Sequence, residues 1–270
     1  MTDRLRPVNS RQNTAVKELR AAFHSGAPTD DGHSAIEGMH LIEEAIRSGL
    51  RFKTVFFSES AQARANKLLP QLAAQVEILL LPDDVFASAV LTDAPQGAAA
   101  LVKLKRFKLV DMLRAPNPLF LGVAGLQDPG NLGTILRSAE AFGANGVLVG
   151  EKTVSPWNPK VIRGSSGSVF RLPVVKVEWP SAIEALHEKG VKIWATSSHK
   201  GEPLHAVDLS GPSIVIVGGE GAGISRELLA AVDGTLAIPH SSKVESLNAG
   251  IAASIVMYEA SRQRNTHGDT

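Results

Sequence analysis

An α/β fold in two units follows from three features of this 270-residue sequence. Short apolar runs alternate with segments of helical periodicity, which is the pattern of strand–helix layering. The polar stretch from Arg106 to Pro118, with two prolines and several charges, interrupts that alternation. Beyond it, five further strands are interleaved with helical segments, as in a mainly parallel sheet.

Taken in order, Ile36, Leu41, Ile42, Ala45 and Ile46 recur at helical spacing, and Gly49 supplies a stop, so a helix is predicted from Ala35 to Gly49. Thr54–Phe57 reads as a strand, Ala61–Ala74 as a helix, Glu77–Leu81 as a strand, Asp84–Val90 as a helix and Ala98–Leu104 as a strand. After the break, strands are predicted at Leu119–Val123, Gly146–Val149, Val191–Thr196, Ser213–Val217 and Thr235–Ile238. The chain divides into a basic N-terminal arm or helix over 1–30, a small α/β unit over 31–107, a linker over 108–116 and a second α/β unit over 117–266. No internal repeat is visible.

With 44% hydrophobic and 20% charged residues, the composition is that of a soluble globular protein. The longest apolar runs, such as Leu119–Leu126, fall far short of the roughly 20 residues that span a bilayer. No apolar core follows Arg4, Arg6 and Arg11, so a secretory signal is not expected and the chain reads as cytoplasmic. The absence of cysteine rules out disulfides, thiolate metal sites and cysteine nucleophiles. A net charge of +1 is low for a nucleic-acid binder, but two basic clusters stand out: Arg4, Arg6, Arg11, Lys17 and Arg20, and Lys103, Lys105, Arg106 and Lys108. Each can meet phosphates, or be ordinary solvated surface.

Three stretches carry candidate chemistry. In Asp128 to Ala144, the residues Leu132, Ile135, Leu136, Ala139 and Phe142 share one helical face and turn Arg137 away from it, with Asn131 where an N-cap would sit. By itself this stretch is better read as a turn at Pro129 and Gly130, a cap at Asn131 and a solvated Arg137. The second, Gly218 to Ser225, follows an apolar strand, and its glycines admit close backbone approach by a ligand. It lacks the spacing of a dinucleotide fingerprint from Gly218 and places Glu220 where a pyrophosphate would be repelled, which argues against a Rossmann site. Ser225 can cap the helix that follows. The third runs from Ile238 through His240, Ser246, Leu247 and Asn248 into a helix crowded with small residues, on which Ile251, Ile255 and Tyr258 can face a partner. A lone histidine after a strand is usually a hydrogen-bonded or surface residue, so His240 receives no catalytic role.

In this order the three stretches resemble the three motifs of the SpoU/TrmH family of SPOUT methyltransferases. Asn158 to Gly167, followed by Phe170-Arg171-Leu172-Pro173, resembles the family's connection between its first two motifs. Asn9 to Asn13, Ile36-Glu37-Gly38 and Glu43-Glu44-Ala45 resemble its N-terminal substrate-binding domain, similar to ribosomal L30e-like proteins. The similarity covers essentially the whole chain. It implies an L30e-like α/β domain followed by a SPOUT-type parallel sheet with a trefoil knot, although threaded chains are rare in general. It further implies S-adenosylmethionine as cofactor, no metal, transfer of a methyl group to a ribose 2′-hydroxyl of RNA, and a homodimer through the C-terminal domain. The L30e-like domain points to ribosomal RNA, 23S above all, rather than transfer RNA. Carried over by motif, the cofactor contacts are Thr196, Ser197, Gly218, Gly219, Ile238 and Leu247, and the catalytic set is Asn131, Arg137, Glu220, Ser246 and Asn248. The family often has asparagine where this chain has Gly219.

Arg137 serves the family as a suggested general base, yet a guanidinium resists deprotonation. Gripping the neighbouring phosphate and offsetting developing alkoxide charge suits its chemistry better. The alternatives are a base-methylating relative, which should lack the Asn131/Arg137 pair together with Ser246/Asn248, a non-catalytic RNA-binding paralogue, and, more remotely, a nucleotide-binding oxidoreductase.

Overall fold

Apolar runs in this chain become strands in two separate sheets. The computed structural model describes residues 4–198, 200–219 and 223–266. They fall into two units, Met1–Lys105 with Trp157–Arg171, and Arg106–Pro156 with Leu172–Thr270.

The first unit is built on a five-stranded sheet in the order β1 (Arg6–Pro7), β4 (Glu77–Leu81), β3 (Arg51–Ser58), β5 (Ala98–Lys103) and β2 (Ser34–Glu37). The first two junctions are parallel and the other two antiparallel. Its core packs Val16, Leu19 and Phe23 of α1 (Thr14–Ser25) against Phe56, Leu79, Leu81, Phe86 and Leu101. Within the stretch 1–30 expected as a basic arm or helix, the described residues join the first unit: α1 buries its apolar face here, capped by Asn13, and β1 pairs with β4. The predicted helix from Ala35 is also corrected. Ser34–Glu37 is a buried strand against β5, and the helix α2 runs from Met39 to Arg47. Gly38 separates them at φ +102°, a conformation no continuous helix passes through. Likewise the helix expected over Ala61–Ala74 shortens to α3 (Gln62–Leu68) flanked by 3₁₀ turns: Pro70 has no N–H to donate back into the helix, and the chain turns extended at Leu72. Asp84–Val90 contracts to α4 (Asp83–Ala87).

Between β3 and β5 the register slips between Phe52 and Thr54, leaving Lys53 as the extra residue of a bulge. Its Nζ donates to Glu18 Oε1 at 2.6 Å and Asp31 Oδ2 at 2.8 Å. That hydrogen bond, with help from Thr29 and His33, holds the Asp31 carboxyl well below the usual carboxylate range.

Trp157–Arg171 belongs to this first unit rather than to the second. Asn158 caps α7 (Pro159–Gly164), which packs on β2. His40 hydrogen-bonds Ser166, and Arg171 donates to Glu44 Oε2 at 2.6 Å and Ser48 Oγ at 3.4 Å. The boundary predicted near 108–116 is only the first of three places where the chain passes between units. The supposed linker contributes α5 (Leu109–Met112), whose end places Met112 and Leu113 in the second unit's core.

The second unit holds a wholly parallel seven-stranded sheet in the order β10 (Glu202–Pro203), β12 (Gly234–Ala237), β9 (Lys192–Ser197), β11 (Ser213–Gly218), β6 (Leu119–Ala124), β7 (Gly146–Val149) and β8 (Val174–Lys176). The short strands β8 and β10, like β1, carry too little apolar periodicity to be predicted. Phe120, Leu148, Ile193, Ile214 and Ile216 build the core. Helix α6 (Pro129–Ala141) buries Leu132, Ile135, Leu136 and Ala139, as its stripe predicts, and packs against α10 (Ala249–Thr266). No helix among the described residues is long and apolar enough to cross a membrane.

Arg264 ties the end of α10 to the starts of two central strands. Its guanidinium donates to the carbonyls of Leu209 (3.0 Å), Asn117 (2.8 Å), Pro118 (3.3 Å) and Gly211, and to Ser213 Oγ (3.2 Å). Burial lowers its pKa from the ordinary guanidinium value. Arg264→Ala removes the donor to several partly buried acceptors and is expected to cost about 2–3 kcal/mol. Arg264→Lys should restore less than half of the loss, since one ammonium cannot span the same fork. Urea unfolding with an unchanged m-value checks both.

Candidate active site

A parallel sheet opens a crevice beyond the carboxyl ends of its strands, where loops diverge to opposite faces. In the second unit that crevice is a cavity of about 380 Å³, within the range of small-molecule sites. It is lined by Thr196, Ser197 and Ser198 from the end of β9, Val217, Gly218 and Gly219 from β11, and Gly223 and Ile224 beyond it. Ile238, His240, Glu245, Ser246 and Leu247 follow β12, and Ala249 and Ala252 come from α10. Hydroxyl groups and apolar side chains thus face one space.

The glycines are a steric requirement. A Cβ on Gly218 would lie 2.7 Å from the Gly223 carbonyl carbon and 2.8 Å from the Ile224 nitrogen. One on Gly219 would lie 2.1 Å from the Gly125 carbonyl oxygen. Gly219 N–H donates to the Ala124 carbonyl at 2.8 Å, so its backbone continues the ladder toward β6. Gly125, at φ +70°, receives Thr153 Oγ1 as acceptor for its own N–H at 3.1 Å.

Next to this cavity two helix starts are fastened together. Asp128, not Asn131, caps α6, accepting from Asn131 N at 2.6 Å. Asn131 lies inside the first turn, so its side chain is free of capping duty and accepts from Asn248 Nδ2 at 2.9 Å. Asn248 Oδ1 accepts from the N–H groups of Gly250 (3.0 Å) and Ile251 (3.2 Å) at the start of α10. About two turns further along, the Ser138 and Ser254 hydroxyls meet at 2.7 Å. Small residues permit this approach: a Cβ on Gly250 would meet Thr134 Cγ2 at 3.2 Å.

All six positions expected to contact a cofactor, Thr196, Ser197, Gly218, Gly219, Ile238 and Leu247, line the cavity. The expected catalytic residues divide. Ser246 lines the cavity, and Asn131 and Asn248 hydrogen-bond to each other. Arg137 is exposed on α6, does not line the cavity, and makes no side-chain hydrogen bond or ion pair among the described residues. Glu220 lies outside the described residues. Ser198, His240 and Glu245 also line the cavity, although the motifs did not select them. For Ser198 and His240 the position just past a strand end was the available signal, and for Glu245 its place beside Ser246. His240 Nδ1 donates to the Ile238 carbonyl at 2.7 Å, which fixes the ring beside the cavity.

Comparison with known proteins places this geometry. Residues 118–258 match the SpoU rRNA Methylase family, and residues 13–100 match the MRM3-like substrate binding domain. An uncharacterized tRNA/rRNA methyltransferase of Synechocystis is 36% identical over 98% of this chain and 96% of its own length. The 23S rRNA (guanosine(2553)-2′-O)-methyltransferase RlmP of Bacillus subtilis is 32% identical over 94% of this chain and 98% of its own. Among solved structures, an AdoMet-bound rRNA methyltransferase from Sinorhizobium meliloti superposes with a TM-score of 0.84 at 27% identity, covering 96% of this chain and 98% of that one. The SpoU methyltransferase AviRb of Streptomyces viridochromogenes, in complex with AdoMet, gives 0.83 at 27% identity over 94% and 99%.

The Gly219 contact carries a test that needs no ligand. Gly219→Asn, the residue the family resemblance leads one to expect there, should destabilise the chain by about 1–3 kcal/mol because its Cβ meets backbone. Gly223 has open space around its Cβ position and φ +61°. Asparagine tolerates that conformation, so Gly223→Asn should cost less than about 1 kcal/mol. Equal stability loss at both positions in thermal unfolding would contradict the steric account.

Proposed function

Because the chain belongs to the SpoU rRNA Methylase family, we propose that it transfers a methyl group from S-adenosylmethionine to a ribose 2′-hydroxyl of RNA. The observation that carries this reading is the convergence of six motif positions from three strand ends and one turn on a single cavity. The cavity fits the cofactor chemically. Hydroxyls of Thr196, Ser197 and Ser246 suit its polar groups, Val217, Ile224, Ile238 and Leu247 suit adenine and methylene groups, and Gly218 and Gly219 leave the backbone open. When bound, the cofactor would supply an electrophilic methyl group on a sulfonium, with the neutral thioether as leaving group for in-line attack by the ribose oxygen and the hydroxyl proton passing to solvent.

The protein's own residues have the task of orienting that hydroxyl and accommodating the charge it develops. Ser246, on the cavity wall, positions the acceptor. Asn131 and Asn248 act as positioning residues, since both amides are engaged in holding the starts of α6 and α10. Arg137, without a partner among the described residues, grips the neighbouring phosphate through its planar fork and offsets alkoxide charge. Glu220 orients Arg137 in this reading.

Ribosomal RNA, 23S in particular, is the proposed substrate, in line with the named relative RlmP and with the substrate-binding match over residues 13–100. The chain works in the cytoplasm, where such RNA is made and assembled. Within the second unit the residues after β12 thread the family's trefoil knot. A homodimer through α10 completes the site. Ile251, Ile255 and Tyr258 are 51%, 36% and 57% exposed on one stripe of that helix, an apolar strip that a monomer would leave in water. Arg137, exposed and away from its own chain's cavity, has its work to do at such an interface.

Mapping 2′-O-methyl nucleotides in cells with and without this protein tests the activity directly. A site lost from transfer RNA instead of 23S RNA would move the substrate and keep the chemistry. Arg137→Ala should lower single-turnover methylation by about 100-fold or more while leaving cofactor affinity and melting unchanged. Arg137→Lys should rescue little. Near-wild-type turnover in Arg137→Ala removes the residue from the mechanism. For the dimer, Ile255→Asp/Tyr258→Asp should sediment as a folded monomer with impaired turnover, and a monomeric wild-type chain of full activity would reject the interface.

A further inference from the structure

Two basic clusters are visible in the sequence, and the structure separates them. The N-terminal one is largely consumed internally. Arg4 donates to the carbonyls of Leu69, Leu72 and Ala73, Arg20 to Ser88, and Arg6 and Arg11 pair with Glu77 and Asp84. On β3 and β5 of the same sheet the reverse holds. Arg51 and Lys103 are direct cross-strand partners of β3 and β5, so their side chains stand on the same face. Lys103 is exposed, Leu104 buried and Lys105 exposed, an alternation that keeps Lys105 on the side of Lys103. None of Arg51, Lys103 and Lys105 makes a side-chain hydrogen bond or ion pair among the described residues.

Like charges directly opposite each other destabilise a strand pair. This pair is produced by the bulge: with regular pairing continued from Thr54 opposite Leu101, Phe52 and not Arg51 would stand opposite Lys103. The extra residue, Lys53, is drawn off to Glu18 and Asp31, and the chain before it is advanced by one position. The irregularity thus places a second cation beside Lys103, and neither has a counterion among the described residues. Alternate residues of an extended strand are about 6.6 Å apart, close to the separation of successive phosphates along an extended RNA strand.

We propose that Arg51, Lys103 and Lys105 form a phosphate-binding strip through which the first unit holds the RNA backbone. The proposal rests on the reading of the chain as an RNA methyltransferase and adds a surface of the first unit that holds the substrate's backbone. The strip reads backbone charge, not sequence, and supplies affinity rather than chemistry.

The test measures binding of the full-length chain to in vitro transcribed 23S ribosomal RNA over a range of salt concentrations. Lys103→Gln/Lys105→Gln should weaken binding by about tenfold at physiological salt and reduce the slope of log affinity against log salt by roughly 1.4–1.8, for two phosphate contacts. Arg64→Gln/Lys67→Gln, which removes two exposed cations elsewhere in the unit, should do neither. Arg51→Glu gives the opposite-sign control. It should weaken RNA binding yet melt no lower than wild type, because a cross-strand ion pair with Lys103 replaces repulsion. Undiminished affinity in the strip variants, or an equal loss in the Arg64/Lys67 variant, overturns the strip while leaving the methyltransferase reading intact if the wild type still methylates the RNA. A wild-type chain that neither binds nor methylates RNA overturns both.

Discussion

The second unit depends on one side chain, Asn248. Its oxygen satisfies two of the N–H groups that α10 leaves unbonded at its start, and its nitrogen reaches across to Asn131 in the first turn of α6. An asparagine is required for this double duty, because an aspartate has no donor and a serine lacks the reach. The turn that forms one wall of the cavity, Ile238 to Leu247, ends at this residue. Helix start, helix pair and cavity wall therefore share a single fixed point. At the other end of α10, Arg264 holds five acceptors around the starts of β6 and β11. Between these anchors the helix has little freedom to slide, which keeps the exposed stripe of Ile251, Ile255 and Tyr258 in constant register with the cavity.

A second constraint is topological. The catalytic-type sheet sends Trp157–Arg171 out between β7 and β8, and this excursion folds as part of the other unit. Arg171 on Glu44, His40 on Ser166 and α7 on β2 make an attachment of both polar and apolar contacts, with Val161, Ile162 and Phe170 buried. The chain therefore passes between the two units three times. A C-terminal fragment begun at the apparent linker would carry the excursion without the strand and helix that cover it. Exposed Phe170 and Val161 would then complicate any comparison of fragment with full chain, and a cleaner separation of RNA binding from catalysis comes from point substitutions.

Much of this was legible from residues because several signals agreed locally. The α6 stripe, the strand runs after Pro118 and the glycines at 218 and 219 each mean the same thing at short and long range, and the structure follows them. What failed had a different cause in each case. Ile36 fits a helical period, yet Gly38 at φ +102° ends that period and pairing with β5 makes the segment a strand. Asn131 has the right chemistry for a cap but Asp128 stands three residues earlier, before Pro129, and takes the role. Strands of two or three residues such as β1, β8 and β10 exist only because a neighbour is there to pair with. The attachment of Trp157–Arg171 to the first unit is a tertiary fact with no local pattern, although its residues were recognisable as a motif.

Charge shows most clearly why composition alone misleads. With 28 basic and 27 acidic residues the chain is nearly neutral, which argues against an RNA binder when the sum is all that is known. The structure sorts those charges into two kinds. Many arginines are occupied as hydrogen-bond donors to carbonyls or as partners of carboxylates, as Arg4, Arg20, Arg171 and Arg264 are, and such groups contribute to folding while offering little to a ligand. A smaller set, including Arg137, Arg51, Lys103 and Lys105, has no partner among the described residues. Since the long-range field at a surface depends on uncompensated charge, that second set governs what the protein attracts. Paired charges cancel within a few ångströms, so a neutral total is compatible with strongly positive local surfaces. A chain that must fold stably and also hold a polyanion can therefore keep its sum near zero, provided the unpaired cations are gathered where the partner's phosphates will lie.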